Sequence, residues 1–403
     1  VKTTAGAIAG DAEAESGKVK MLGNIKFDMR KMRKKIYFFF LALISIFPAI
    51  IIVSFSLEAA KAAGEFFGPR LNNIVSLFNL AENGKAFSYE YVANAIAPLA
   101  SGEENLGISE KEKTYLISTP REITLIFVGD IMLGRNVEKL IKEKGGDFSF
   151  LFENAEFLKT ADFAFGNLEG PISDKGKDLR NLYSFRFEPK TAEAMKIAGF
   201  DALSLANNHT GDWGQEAYVD TVYNLKIQDI LPVGGGVNEE EASSPQIIEI
   251  DGLRIGLLGF SDVGPNWLMA GKNNPGILIV DDYFKEKIKQ ASENVDILII
   301  SFHFGEEYQK TPNKRQESLA RAAIDNGAKI VVGHHPHVTQ GTEIYGNGFI
   351  VYSLGNFVFD QNFSEDTITG AALEVKLSET GEIKSAELKN IKINQYFQPK
   401  LEN

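Results

Sequence analysis

The stretch ITLIFVGDIMLGR at residues 123–135 joins an apolar run to a polar burst that begins at Asp130. The apolar part has the length and the β-branched content of a buried strand. Further along the chain, similar apolar runs alternate with segments of helical periodicity. Such alternation is typical of an α/β domain with much parallel sheet.

The predicted elements spread over the whole region that follows this stretch. The strand-like runs cover residues 123–129, 161–166, 201–206, 254–260, 296–302, 329–333 and 349–355. The helical segments cover residues 136–145, 191–199, 214–228, 284–294 and 314–328. The tail at 368–394 breaks this rhythm, because Thr380 and Gly381 separate two alternating runs. That pattern predicts an antiparallel hairpin.

Five strand-like runs end in side chains that can bind metal. These bursts are GDIMLG (129–134), GNLEG (166–170), NNHTGDWG (207–214), HFGEEY (303–308) and GHHPH (333–337), and they contain all 5 histidines of the chain. Because open α/β sheets hold ligands at the carboxyl ends of their strands, we expect the bursts to meet at one rim. Carboxylate, amide and imidazole groups together suit zinc, manganese or iron.

Each of these residues also has a purely structural interpretation. Asp130 could cap the following helix, and Glu169 could pair with a nearby arginine. Asn207 and Asn208 are residue types that turns favour, and a single His303 is more often a hydrogen-bonded core residue than a ligand. Taken singly, both interpretations stay open, whereas the joint pattern favours a metal site.

The composition narrows the classes of function. The chain has 403 residues, with 42 Lys and Arg against 54 Asp and Glu, a formal charge of −12. This acidic balance argues against a nucleic-acid partner, which would require a basic surface. The absence of cysteine excludes disulfides, iron–sulfur centres, thiolate-bound zinc and thiol catalysis.

The region before residue 121 predicts export of the folded domain. We divide the chain into a leader of doubtful origin (1–20), a basic segment (21–35), a transmembrane anchor (36–56), a stalk or linker (57–120) and the folded domain (121–399). The anchor carries no charged residue and is long enough to cross the hydrocarbon core once. Its basic flank is N-terminal, so the domain is expected outside the cell membrane. A cleaved signal peptide is the alternative, and it too exports the domain.

Residues 123–360 resemble the CapA-type capsule synthesis proteins of the poly-gamma-glutamate biosynthesis family, which are related to calcineurin-like metallophosphatases. The matching motifs, in order, are GDIMLGR, FGNLEGPIS, FRFEP, SLANNHTGDWG, HFGEEYQKTPNKRQESLA, VVGHHPHVTQG and YSLGNF. The resemblance implies a metallophosphatase-like four-layer sandwich of two mixed β-sheets flanked by helices, preceded by one transmembrane helix.

The resemblance also implies roles for individual residues. The implied metal ligands are Asp130, Glu169, Asn208, His303, His335 and His337. His209 would protonate the leaving group, while Arg135, Arg186 and Glu307 would lie at the substrate. The sequence departs from the phosphatase pattern in its first motif, where Met132 stands in place of the histidine of Asp-x-His. The bridging carboxylate is likewise a glutamate in place of an aspartate.

From these observations we expect a membrane-anchored protein of capsule biosynthesis with a phosphoesterase-like site holding one or two divalent ions of manganese, zinc or iron. Its substrate would be an anionic capsular polymer or an envelope phosphate, and a capsule synthase complex is an expected partner. The alternative is a non-hydrolytic component that uses bound metal to hold or export the polymer. The two differ in whether His209 is needed.

Overall fold

The computed structural model describes residues 121–402. The predicted leader, basic segment, anchor and stalk therefore lie outside the described residues. Among residues 121–402, no helix has both the length and the apolar character that a membrane span requires.

The β-strands are mostly short and lie throughout the described part of the chain. They are β1 (Ile123–Ile131), β2 (Phe163–Leu168), β3 (Ala202–Ser204), β4 (Leu231–Val233), β5 (Gly235–Gly236), β6 (Gln246–Ile250), β7 (Leu253–Ser261), β8 (Gly276–Ile277), β9 (Ile297–His303), β10 (Ile330–His334), β11 (Thr342–Tyr345), β12 (Gly348–Val351), β13 (Asn356–Val358), β14 (Thr369–Leu377), β15 (Ile383–Ile393) and β16 (Pro399–Leu401).

The strands form two mixed sheets and one short ribbon. The first sheet has the order β16-β15-β14-β1-β2-β3-β4, with β13 pairing at the end of β1. The second has the order β11-β12-β10-β9-β7-β6, and β5 pairs with β8 in the ribbon. In the first sheet the strands from β1 to β4 are parallel, and antiparallel strands lie on the β14 side only. In the second sheet the central strands are parallel, and the antiparallel strands β6 and β11 lie at the edges. The predicted hairpin is confirmed as β14 and β15, which pair antiparallel.

The α-helices lie between strands, as the alternating pattern predicts. They are α1 (Arg135–Glu143), α2 (Thr191–Ala198), α3 (Gly214–Ile227), α4 (Glu239–Ser243), α5 (Phe284–Ser292) and α6 (Lys314–Asp325). Short segments of 3₁₀ helix cover Phe148–Phe152, Glu156–Thr160 and Asn266–Leu268.

Three apolar layers hold this arrangement together. Side chains of β1 such as Leu125 and Phe127 face the second sheet and pack against residues such as Ile299 of β9. The alternate β1 side chains, Ile126 and Val128, face outwards and pack under α1, α2 and α3. On the far side, the outer face of the second sheet packs on α5 and α6. The four-layer sandwich with helices on both outer faces is therefore observed, and β1 is apolar on both faces because both are covered.

The point where β1 meets β13 leaves no room for a side chain. The Asp130 N–H donates to the Gly355 carbonyl at 2.9 Å. A Cβ added to Gly129 would lie 1.9 Å from that same carbonyl oxygen. Glycine at position 129 thus permits the close approach that fixes Asp130 beside the C-terminal half of the domain.

Candidate metal centre

The polar bursts meet at the carboxyl ends of the central strands. In the first sheet, Asp130 of β1 pairs in register with Asn167 of β2. In the second sheet, His303 ends β9 and pairs in register with His334 at the end of β10. Parallel register pairs the side chains within each sheet, as expected for the edge of an α/β sheet. The two pairs meet where Asn167 Nδ2 lies 3.3 Å from His303 Nδ1.

Asp130 is fully buried and surrounded by imidazoles. Its Oδ1 accepts from Asn167 Nδ2 at 2.8 Å, and its Oδ2 lies 3.3 Å from His337 Nδ1. Burial alone would raise the pKa of Asp130, but the neighbouring His334 and His337 outweigh burial and hold that pKa well below its usual value. The alternative role as a helix cap is not observed, because the residue that caps α1 is Gly134.

Glu169 follows β2 and is fully buried, yet neither carboxylate oxygen has a hydrogen-bond partner among residues 121–402. Its Oε1 lies 3.6 Å from His337 Nε2 and 3.8 Å from His209 Nε2. Burial first, and then the nearby carboxylates, raise the pKa of Glu169 well above its ordinary value. A buried carboxylate without partners is costly unless a cation faces it, and among residues 121–402 no arginine pairs with it.

His335 and His337 lie on a strained loop directly after β10. Both are non-glycine residues with positive φ, 98° at His335 and 59° at His337. Burial lowers the pKa of His335 to about 3, so this ring is neutral and able to ligate. Burial alone would lower the pKa of His337, but the negative charges of Glu169 and Asp130 outweigh burial and raise that pKa to about 9. Strain of this kind is commonly stored at functional sites.

His303 and Asn208 are brought into direct contact by the two sheets. His303 Nε2 lies 2.7 Å from Asn208 Oδ1, and its Nδ1 lies 3.3 Å from Asn167 Nδ2. Burial, with a smaller contribution from His335, lowers the pKa of His303 well below its usual value. Asn207 serves as a structural brace, since its amide donates to Leu168 O at 2.8 Å.

His209 is held by a carboxylate on its outer side. Its Nδ1 lies 2.8 Å from Asp212 Oδ2, and its ring lies over Phe185 with centroids 4.1 Å apart. Asp212 is buried and also accepts from Phe185 N at 2.8 Å. A carboxylate on Nδ1 fixes the tautomer and directs Nε2 towards Glu169.

The three residues predicted to contact substrate lie in different settings. The guanidinium of Arg135 is paired with the buried Asp360 and lies 4.9 Å from the Phe185 ring centroid. Arg186 lies over Trp213, with its guanidinium carbon 3.5 Å from the ring centroid. Glu307 offers a carboxylate oxygen within 4.8 Å of ligand atoms of His335 and His337.

Four further residues of the cluster were not predicted as site residues. They are Asn167, Asp212, His334 and Asn356. Three of them, Asn167, Asp212 and His334, lie inside the polar bursts. The sequence therefore indicates their position at strand ends, but it does not indicate which side chains they contact. The side-chain oxygen of Asn356 lies 3.0 Å from His337 Nδ1; this residue belongs to the YSLGNF motif and reaches the site through the pairing of β13 with β1.

The donor set fits a divalent cation. Asp130, Glu169 and His337 each present one ligand atom, and these atoms lie within 4.8 Å of one another. Among residues 121–402, the buried polar atoms without hydrogen-bond partners include both carboxylate oxygens of Glu169 and Nδ1 of His335. Oxygen and imidazole ligands without sulfur suit Mn²⁺, Zn²⁺ or Fe²⁺.

Comparison with known proteins identifies relatives of this chain. Residues 124–361 match the family model of the bacterial capsule synthesis protein PGA_cap. The chain is 38% identical over 270 residues to the capsule biosynthesis protein CapA of Bacillus anthracis, covering 64% of this chain and 65% of that protein. It is 37% identical over 275 residues to the PGA biosynthesis protein CapA of Bacillus subtilis (strain 168), covering 67% of this chain and 71% of that one.

Similarity to solved structures is more remote. A hypothetical protein from Thermus thermophilus superimposes with a TM-score of 0.42 and 14% identity, covering 67% of this chain and 99% of that one. A likeness at this level has no bearing on activity. The family model spans more than half of this chain, and its matched segment contains every predicted ligand. The chain therefore belongs to the bacterial capsule synthesis protein family PGA_cap.

Proposed function

We propose that this protein is a metal-dependent phosphoester hydrolase of capsule biosynthesis, acting outside the cell membrane. The observation that carries the proposal is the pair formed by Glu169 and His209. A buried carboxylate without hydrogen-bond partners faces an imidazole Nε2 at 3.8 Å, and that imidazole is itself oriented by Asp212. Passive binding of a polymer would not require an oriented proton donor.

Six side chains would hold the ions. They are Asp130, Glu169, Asn208, His303, His335 and His337. Divalent cations bound there would polarise the phosphoryl oxygens and activate water. The oxygens of Asp130 and Glu169 come from the first sheet, whereas His303, His335 and His337 come from the second. The site therefore depends on the packing of the two sheets.

The chain's own contribution to the reaction is a proton at the leaving group. In the protonated imidazolium, Nδ1–H donates to Asp212 and Nε2–H points towards the carboxylate cluster. The buried Asp212 stabilises that positive charge, as an orienting carboxylate does in other acid–base pairs. Transfer of the Nε2 proton to the departing oxygen would allow the phosphorus–oxygen bond to break without releasing an alkoxide.

The family and the predicted topology support a proposal for the substrate. The relatives are described as capsule and PGA biosynthesis proteins, and the first of them is only 65% covered by this chain. We propose an anionic capsular polymer, or a phosphate-bearing envelope intermediate, as the substrate. Residues 36–56 would anchor the domain to the cell membrane beside a capsule synthase complex.

A second candidate, polymer binding without hydrolysis, is favoured by one observation. The guanidinium of Arg135 is already neutralised by Asp360, so this arginine offers little free charge to a phosphoryl group. Under that alternative, bound metal would hold the polymer's carboxylates and His209 would be dispensable.

Two substitutions separate the candidates. In a hydrolase, His209→Gln abolishes turnover while metal stays bound, and His335→Ala removes metal and turnover together. The assay combines elemental analysis with hydrolysis of a phosphomonoester and a phosphodiester in Mn²⁺ or Zn²⁺. Full retention of capsule function in His209→Gln, with loss in His335→Ala, would contradict hydrolysis and support polymer binding.

A further inference from the structure

Glu307 lies close to two of the predicted metal ligands, His335 and His337. One of its carboxylate oxygens, one ring nitrogen of His335 and one of His337 lie within 4.8 Å of one another. Three ligand atoms placed evenly around one ion at about 2.1 Å lie about 3.6 Å apart, so each of the three side chains would move by less than about 1 Å to share one.

Backbone hydrogen bonds hold the segment around Glu307 against the loop that carries His335 and His337. The N–H of Tyr308 donates to the carbonyl of Pro336 at 2.8 Å, and Phe304 N donates to His334 O at 3.1 Å. Tyr308 itself has a φ of 64°, so the chain turns sharply directly after Glu307. Two backbone hydrogen bonds therefore keep the carboxylate beside the imidazoles, and its position does not depend on a flexible side chain alone.

A second observation, independent of Glu307, points to a ligand at this place. The Nδ1 atom of His335 is buried and has no hydrogen-bond partner among residues 121–402. A buried imidazole nitrogen without a partner is costly unless a donor or a cation meets it. Asn356 already occupies Nδ1 of His337 at 3.0 Å, which leaves Nε2 of that ring for an ion.

The first motif supplies no ligand beyond Asp130 itself. Met132 is fully buried in the apolar layer under the helices, and its sulfur accepts from Gly134 N at 3.2 Å. The side chain is thus directed away from the carboxylates. An additional oxygen donor from elsewhere in the chain would restore the coordination number.

We propose that Glu307 is a metal ligand, which binds a divalent cation together with His335 and His337. This inference rests on the proposed metal-dependent function. His337 also belongs to the group formed with Asp130 and Glu169. One ring nitrogen binds only one ion, so Glu307 would add a ligand to the ion that His337 holds beside those carboxylates. A second carboxylate at this position shifts the ligand set towards oxygen and favours Mn²⁺ over Zn²⁺.

The test is Mn²⁺ binding to the metal-stripped full chain, followed by electron paramagnetic resonance and equilibrium dialysis. Glu307→Gln keeps the size of the side chain and removes its charge. We expect it to bind one Mn²⁺ fewer per chain, or to raise the Kd of one Mn²⁺ by at least about tenfold. Glu306→Gln is the matched control, because Glu306 is exposed and faces Asn313 instead of the histidines.

Mn²⁺ stoichiometry and Kd in Glu307→Gln that equal those of the wild-type chain would overturn the inference. Loss of binding in both variants would overturn it too, since the effect would not be specific to Glu307. Failure of the proposed function has a different signature, namely a wild-type chain that binds Mn²⁺ but hydrolyses no phosphoester. Melting curves of both variants show whether either substitution disturbs the fold.

Discussion

Asp212→Asn tests whether His209 works as an oriented proton donor. Asp212 Oδ2 accepts from His209 Nδ1 and Phe185 N, both at 2.8 Å, and its Oδ1 accepts from Asn181 Nδ2 at 2.9 Å. An asparagine can keep its oxygen on the first two donors if the Asn181 amide turns over to accept from the new NH₂ group. The substitution therefore preserves the hydrogen bonds and removes only the negative charge.

The expected loss of rate follows from that difference in charge. A hydrogen bond to a charged group contributes about 1.5–3 kcal/mol, against about 0.5–1.5 kcal/mol between neutral groups. Losing about 1–2 kcal/mol of stabilisation of the protonated His209 slows proton transfer by about 5- to 30-fold. His209→Gln removes the donor itself and should cost about 10²- to 10⁴-fold.

The assay compares kcat on two phosphodiesters that differ only in the leaving group. An alkyl alcohol needs a proton in order to leave, whereas a nitrophenolate does not, so Asp212→Asn and His209→Gln should slow only the alkyl ester. Asp178→Asn is the control, because its exposed carboxylate accepts from Arg180 N and Ser184 Oγ and has no contact with His209. Equal losses on both esters would refute the role of His209 as proton donor.

The buried cluster and its framework allow three further tests. Glu169→Gln should lower the content of bound metal in elemental analysis, because it removes the charge of a buried carboxylate that has no hydrogen-bond partner among residues 121–402. The metal-free protein should lose stability as pH rises from about 6.5 to 9 in pH-resolved melting curves. The folded-state pKa of His337 is raised to about 9, so the stabilising proton is bound at low pH and lost through that range. Added Mn²⁺ should abolish this dependence on pH. Gly129→Ala should lower the free energy of unfolding by about 3 kcal/mol or more in urea titrations, because its Cβ would lie 1.9 Å from the Gly355 carbonyl oxygen. Gly341→Ala is the control. A Cβ at Gly341 would meet open space, so the free energy of unfolding should change by no more than about 0.5 kcal/mol.

The main architecture was accessible from the sequence because each central strand is covered on both faces. A strand such as β1 is then a continuous apolar run, and its end is marked by polar residues such as Asp130. The short edge strands were not accessible. The exposed strand β11 and the two-residue strands β5 and β8 bury too few side chains to leave a periodic signal. The last strand, β16, runs past the predicted domain end at residue 399, because it pairs with β15.

The sequence predicts which residue types form the site, but it does not predict which side chains contact one another there. Placement at strand ends predicts that Asp130 and His303 share one rim, and the structure brings them together. The pairing of Arg135 with Asp360 joins residues 225 positions apart, and no local pattern encodes it. The same holds for Asn356 on His337, which depends on β13 reaching β1.

The central claim is that the buried cluster holds divalent metal, and metal content per chain tests it most directly. The purified full chain would be stripped, resupplied with Mn²⁺ or Zn²⁺, and analysed for bound metal beside Glu169→Gln. The account predicts close to two ions per wild-type chain, and fewer in the variant. A folded wild-type chain that retains no metal under these conditions would contradict the ligand assignment and the function built on it.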